Sequence, residues 1–137
     1  TDPRNRDFSL TNIFYMMNIL HDIYFNLGFD EKAGNFQNIN YSNEGKGQDP
    51  VFIDYIKRWY TKGLSFTTPE DGQHPFLYMY NLNFATHNHG LIHEYTHGVV
   101  GRYLWRVKLH ECFNKREASS INEGFSEFFA SSLTFHE

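Results

Sequence analysis

The sequence predicts an α+β fold, and three observations predict it. An apolar stripe at helical spacing runs near the N-terminus. A short aromatic and aliphatic run in the middle has β-propensity. Two further helical segments fill the last third and carry His and Glu at intervals of four.

The first helix is read over residues 10–27. Leu10, Ile13, Phe14, Met17, Leu20 and Tyr24 repeat at helical spacing, Thr11 or Asn12 can cap the start, and Gly28 can end it. His21 and Asp22 fall inside this helix with nothing nearby at ligand spacing, so His21 is read as structural. Residues 28–50 are rich in Gly, Asn, Asp and Lys, which is loop chemistry. Gly45-Lys46-Gly47 lacks the rest of a phosphate loop, so no nucleotide site is read there.

Val51 to Tyr60 is short and apolar, with Asp54, Lys57 and Arg58 spaced through it; it fits a strand or a short helix, and the helix is favoured. Residues 61–75 hold Gly63, Pro69, Asp71-Gly72 and Pro75 and read as a loop or an irregular edge strand. Phe76 to Tyr80 is a strand. A polar approach, Asn81 to Gly90, leads into a helix from Leu91 to about Leu104, and a last helix covers about Ile121 to Phe135.

Composition narrows the function classes. The 137 residues are 40% hydrophobic and 18% aromatic, which suits a packed globule and not a disordered chain. A net charge of −4 gives no footprint for nucleic acid and no polybasic surface for a membrane. No apolar run approaches the ~20 residues needed to span a bilayer. Cys112 stands alone, so no internal disulfide can form.

The chemistry concentrates in His93-Glu94-Tyr95-Thr96-His97. On a helix, positions i and i+4 share a face one turn apart, so both imidazoles can reach one ion. Glu94 follows the first histidine directly and can sit beside a metal without ligating it, where a base for water belongs. Hydrolytic zinc usually takes three protein ligands and leaves a fourth position open. Glu123, 26 residues after His97, is the candidate third ligand from a second helix. A third-histidine pattern is excluded, because Val100 and Tyr103 stand where it needs Gly and His.

Some alternatives stay open. By themselves the five residues also fit a helix with two exposed histidines and an ion-paired Glu. Glu123 in a second helix favours zinc. Glu127, one turn beyond Glu123, is either the carboxylate that fixes the His93 tautomer or a surface group. His89 lies four before His93 but next to Gly90, and is read as a solvated or capping residue at the helix entry. His110-Glu111 sits in the connection between the two helices with no paired histidine.

Taken together, the runs His93 to Gly98, Gly101-Arg102, Cys112 and Glu123 to Ala130 resemble the fungalysin family of secreted zinc metalloendopeptidases, which are thermolysin-like. Upstream, Asn12 to Tyr15, His21-Asp22, Gly28-Phe29, Ala33 to Gln37, Gly45 to Gly47, Pro69 to Gly72 and Met79-Tyr80 follow the family's order. The resemblance covers almost the whole chain. It implies a thermolysin-like zincin core with a zinc helix, a second helix bearing the Glu ligand and a small β portion. It implies zinc held by His93, His97 and Glu123, with Glu94 as catalytic base. It also implies protein or peptide substrates, secretion and an inhibitory propeptide, and a monomer is expected.

The chain departs from the family's pattern in places. Phe125 replaces a usual Trp, and Glu127 replaces a usual Asp and is one methylene longer. Asn83 to His89 replaces an acidic Asp-Gly-Asp-type stretch, and Gly63-Leu64 stands where the family has an Asn-Ala pair for the substrate backbone. The family's downstream oxyanion histidine has no counterpart before Glu137, and His136 is too close to Glu123 to be it. Residues 1–137 are thus expected to be a single partial catalytic domain lacking a C-terminal helical part. The alternative expectation is an inactive zinc-binding module.

Overall fold

A computed structural model describes residues 3–56 and 63–134. Among these are three α-helices and a three-stranded sheet: α1 (Pro3–Asn26), β1 (Phe52–Tyr55), β2 (Leu64–Thr67), β3 (Phe76–Met79), α2 (Asn88–Arg106) and α3 (Arg116–Thr134). The α+β expectation holds. None of the described helices is long and apolar enough to cross a membrane.

Helix α1 starts well before the expected boundary. Neither Thr11 nor Asn12 caps it. The Thr11 hydroxyl donates to the Asp7 carbonyl one turn back, at 2.8 Å. The Asn12 amide donates to the Ala85 carbonyl at 2.8 Å and to Asn88 Oδ1 at 2.9 Å, which ties α1 to the entry of α2. Gly28 does end the helix. Its φ of +102° is a left-handed conformation that a Cβ would strain. Of the expected stripe, Ile13, Met17, Leu20 and Tyr24 are buried, whereas Leu10 and Phe14 lie exposed.

The sheet has the order β1-β3-β2, with β1 parallel and β2 antiparallel to β3. Central β3 buries Leu77 and Met79 completely. The helix expected over 51–60 is a strand where it is described; Lys57 to Tyr60 lie outside the described residues. Four residues are too few to show a period, and pairing decides the matter. Phe52 N–H donates to the Pro75 carbonyl and Ile56 N–H to the Met79 carbonyl, each at 2.9 Å. The irregular edge strand expected within 61–75 is β2, and the expected strand at Phe76 is β3.

Helix α2 runs through the centre. Leu91, Ile92, Tyr95 and Val99 form its buried face, packed with Ile13, Leu20 and Tyr24 of α1, Leu77 and Met79 of β3 and Ala130 of α3. Two glycines let it lie close to β2. A Cβ on Gly98 would sit 2.5 Å from Phe66 Cε1, and one on Gly101 would sit 2.9 Å from Thr68 Cβ. Thr96 donates to the Ile92 carbonyl at 2.8 Å, so the buried Tyr24 hydroxyl donates to Thr96 Oγ1 at 2.5 Å. Burial pushes the Tyr24 phenol up to about 12.

The far end of α2 is pinned by a buried ion pair. Arg102 Nη1 donates to Asp49 Oδ2 at 2.8 Å, and both side chains are at most 1% exposed. Arg102 Nη2 donates to the Gln73 carbonyl at 3.2 Å, and the guanidinium lies 4.9 Å from the Phe36 ring centroid. The Gly72 N–H adds a second donor to Asp49 at 3.0 Å. One arginine thereby holds the 28–50 loop and the 68–75 loop against the helix.

Helix α3 begins five residues before the expected Ile121, after a 3₁₀ turn over His110–Asn114. Glu123 therefore sits well inside the helix and does not open it. The expected end at Phe135 lies outside the described residues.

Candidate metal centre

Helical geometry puts His89, His93 and His97 on one face of α2, and Glu123 and Glu127 on one face of α3. Packing of the two helices turns these faces toward each other. His93 Nε2 lies 3.1 Å from Glu123 Oε2, and His97 Nε2 lies 3.5 Å from Glu123 Oε1. One donor atom from each of His93, His97 and Glu123 lies within 4.8 Å of the others, a group able to hold a metal ion.

The donor set suits zinc. Two imidazoles and one carboxylate are three ligands of the right types, with a fourth position left for water or substrate. With Zn–N and Zn–O bonds of about 2.0–2.2 Å, neighbouring donors on a tetrahedral ion sit roughly 3.3–3.5 Å apart. The two histidine-to-Glu123 separations fall around that edge length.

The other ring nitrogens are also engaged. His97 Nδ1 lies 2.9 Å from the hydroxyl of Ser126, which is fully buried. A proton on Nδ1 donated to that oxygen leaves the Nε2 lone pair free to face Glu123. His93 Nδ1 faces Glu127 Oε2 at 3.5 Å. The sequence carries Ser126 inside the Glu123 to Ala130 run but gives it no role. Its signal is its place three residues after Glu123, on the side of α3 turned to α2.

Glu94 lines the same cleft, of about 530 Å³, together with His93, His97 and Glu123. Burial pushes its carboxyl above the usual carboxylate range, and the nearby Glu123 charge pushes the same way. His97 and the Phe66 backbone N–H pull it down.

Leu64, Ser65 and Phe66 of β2 form the opposite wall. Among the described residues β2 pairs only with β3, so its other edge is unpaired by any strand, with the Phe66 N–H turned to Glu94. Trp105 and His110 close one end, stacked at 3.5 Å between centroids with 10° between planes. The Trp105 indole N–H is anchored on the Thr68 carbonyl at 2.6 Å. His110, read from sequence as a loop residue, is thus part of the cleft. His21 is not: its Nε2 lies 2.9 Å from Gln37 Oε1 and 3.1 Å from Asn35 Nδ2, one of which it bonds according to its tautomer. His89 stays out of the three-donor group and faces Glu127.

Known proteins resemble this chain in sequence. Residues 1–137 match the family described as Fungalysin metallopeptidase (M36). The chain is 37% identical over 135 residues to "Extracellular metalloproteinase 4" of Arthroderma gypseum, covering 93% of this chain and 21% of that protein. It is 38% identical over 131 residues to "Extracellular metalloproteinase MEP" of Pyricularia oryzae, covering 90% and 21%. "Probable extracellular metalloproteinase 5" of Trichophyton verrucosum is 37% identical over 134 residues. The chain therefore spans about a fifth of the length of these curated relatives. With a match along its whole length and a His-His-Glu cluster in a thermolysin-like zincin arrangement, the chain belongs to the fungalysin family of metallopeptidases.

Proposed function

We propose that residues 1–137 are the metal-binding part of a catalytic domain that hydrolyses peptide bonds in proteins. In this reading His93, His97 and Glu123 hold one zinc ion, Glu94 is the general base, and Glu127 orients His93. The convergence of three donor atoms from two helices, with Glu94 in the same cleft, carries the proposal.

When bound, zinc would supply Lewis acidity that lowers the pKa of water and polarises a carbonyl oxygen. The protein's own residues do the rest. Glu94 accepts the proton of the attacking water and returns it to the departing amine. Ser126 and Glu127 hold the two imidazoles so that their Nε2 atoms face one point. The unpaired edge of β2 offers backbone groups along which an extended peptide can lie, and the Leu64 and Phe66 side chains exclude water beside it.

By the same reading the protein acts outside the cell as a monomer, on protein or peptide substrates, and is kept inactive by a propeptide until release. The relatives' names, extracellular metalloproteinases, support the location. The alternative is a zinc-binding module that cleaves nothing. Both readings predict about one zinc per chain and differ in hydrolysis.

The test is Glu94→Gln, followed by zinc stoichiometry and cleavage of a quenched fluorescent peptide. The variant should keep its zinc and lose about 10²–10⁴ in rate, the usual worth of a general base. Cleavage at the parental rate would remove Glu94 from the chemistry. Zinc without cleavage in a parent that also carries the C-terminal part expected from the family would favour the binding module.

A further inference from the structure

The contact between α2 and α3 extends beyond the three donors. His97, Glu123, His93, Glu127 and His89 alternate between the two helices like rungs. The last contact is His89 Nε2 to Glu127 Oε1, at 3.3 Å. The other oxygen of the same carboxylate faces His93 Nδ1 at 3.5 Å. The Ser131 hydroxyl, one turn further along α3, donates to Glu127 Oε1 at 3.2 Å.

We infer that His89 is a positioning residue for the metal centre: with Ser131 it clamps one oxygen of Glu127, so that the other is presented to His93. This rests on the reading of His93 as a zinc ligand. The physical need is clear. Glu127 is 58% exposed and hangs on a stalk of two methylenes, so unrestrained it would sample many rotamers in water. A carboxylate that wanders cannot fix the tautomer or the ring plane of His93. Two partners on Oε1 remove most of that freedom.

The arrangement also eases a local conflict. Glu123 and Glu127 are carboxylates at i and i+4 on one helix, a mildly destabilising pair. His89 stands on the far side of Glu127 from Glu123 and draws that carboxylate toward the α2 entry. It can do so because it lies one helical turn before His93, on the same face. The residue that the sequence places at a helix entry thereby joins the support of a ligand four positions away.

The test is a double-mutant cycle on zinc binding, read by competition with a chromophoric chelator. Outer partners of metal-bound histidines are typically worth ~10–100-fold in affinity, so Glu127→Ala should weaken zinc within that range. His89→Ala should weaken it toward the lower end, about 10-fold, and His89→Gln, which keeps an N–H donor, should recover most of the loss. In the Glu127→Ala background, His89→Ala should have almost no further effect.

Two results would overturn the inference. One is parental zinc affinity in His89→Ala. The other is an equal loss with and without Glu127, which would mean that His89 acts only through the end of α2. A parent that takes up no zinc would overturn the metal centre itself, an outcome distinct from both.

Discussion

The middle and the C-terminal end of helix α2 handle charge in opposite ways. At the C-terminal end, Arg102 and Asp49 are buried and bonded to each other, with Gly72, Gln73 and Phe36 around them. At the middle, His93 and His97 face Glu123, which is 61% exposed, across a cleft open to solvent. Among the described residues no Lys or Arg pairs with Glu94, Glu123 or Glu127. The first arrangement is buried and paired within the fold, with Asp71 as a second carboxylate for Arg102 and with Asp49 Oδ1 and Arg102 Nε left without a partner, so it serves the fold. The second directs several donors at one point and gathers negative charge there, an arrangement able to hold a cation. Basic and acidic groups mean different things according to whether burial has already paired them.

The sharpest way to break this comparison is Arg102→Ala. Removing one partner of a buried pair leaves Asp49 uncompensated and should cost about 3–5 kcal/mol of stability, read by urea unfolding. A loss below 1 kcal/mol would mean that the pair does not serve the fold in the sense argued. Zinc affinity of whatever fraction stays folded should be unchanged.

Glu123→Ala should do the converse. The metal-free protein should keep its stability within about 0.5 kcal/mol, because Glu123 is an exposed side chain. Zinc stoichiometry should fall sharply. Unaltered stoichiometry would place the third ligand elsewhere.

Ser126→Ala should lie between the two. It removes a fully buried hydroxyl and the partner of His97 Nδ1, so a loss of about 1 kcal/mol in stability is expected. A fall in zinc affinity near 10-fold should accompany it. Stability lost without any change in zinc affinity would reduce Ser126 to packing.

The smallest effect concerns Glu31, an anion completed by donors and not by a cation. It accepts from the Ser42 hydroxyl, from the Tyr41 and Ser42 backbone N–H groups and from the Gln37 amide. The Ser42 hydroxyl leads in holding its carboxyl down, from 4.5 to about 2. Its contribution to stability is therefore complete above pH 4.5 and lost as pH falls toward about 2. Glu31→Gln should flatten the acid limb of a stability–pH curve over that window. An unchanged limb would assign acid unfolding to other carboxylates.

Much of the centre is legible in the residues themselves. His93, Glu94 and His97 follow from helical periodicity, and so does the shared face of Glu123 and Glu127. The two C-terminal helices are legible for the same reason, and the β3 strand from its β-propensity. The strand β1 is not, because four exposed residues carry no period and only pairing with β3 makes them a strand. The start of α1 is not, because the residues that look like caps hold other partners, Asn12 reaching Ala85 and Asn88.

The sequence by itself determined which side chains share a helical face and which of them can ligate a metal. Periodicity is set by the backbone over a few residues, so it can be read one segment at a time. Tertiary structure alone decided that Glu123 meets both histidines, that Ser126 rather than a carboxylate supports His97, that His89 faces Glu127, and that Arg102 finds Asp49 half a chain away. Those contacts depend on how far one helix slides and turns against the next, and that is fixed by side-chain packing across the whole core, including the two glycines that let α2 settle onto β2.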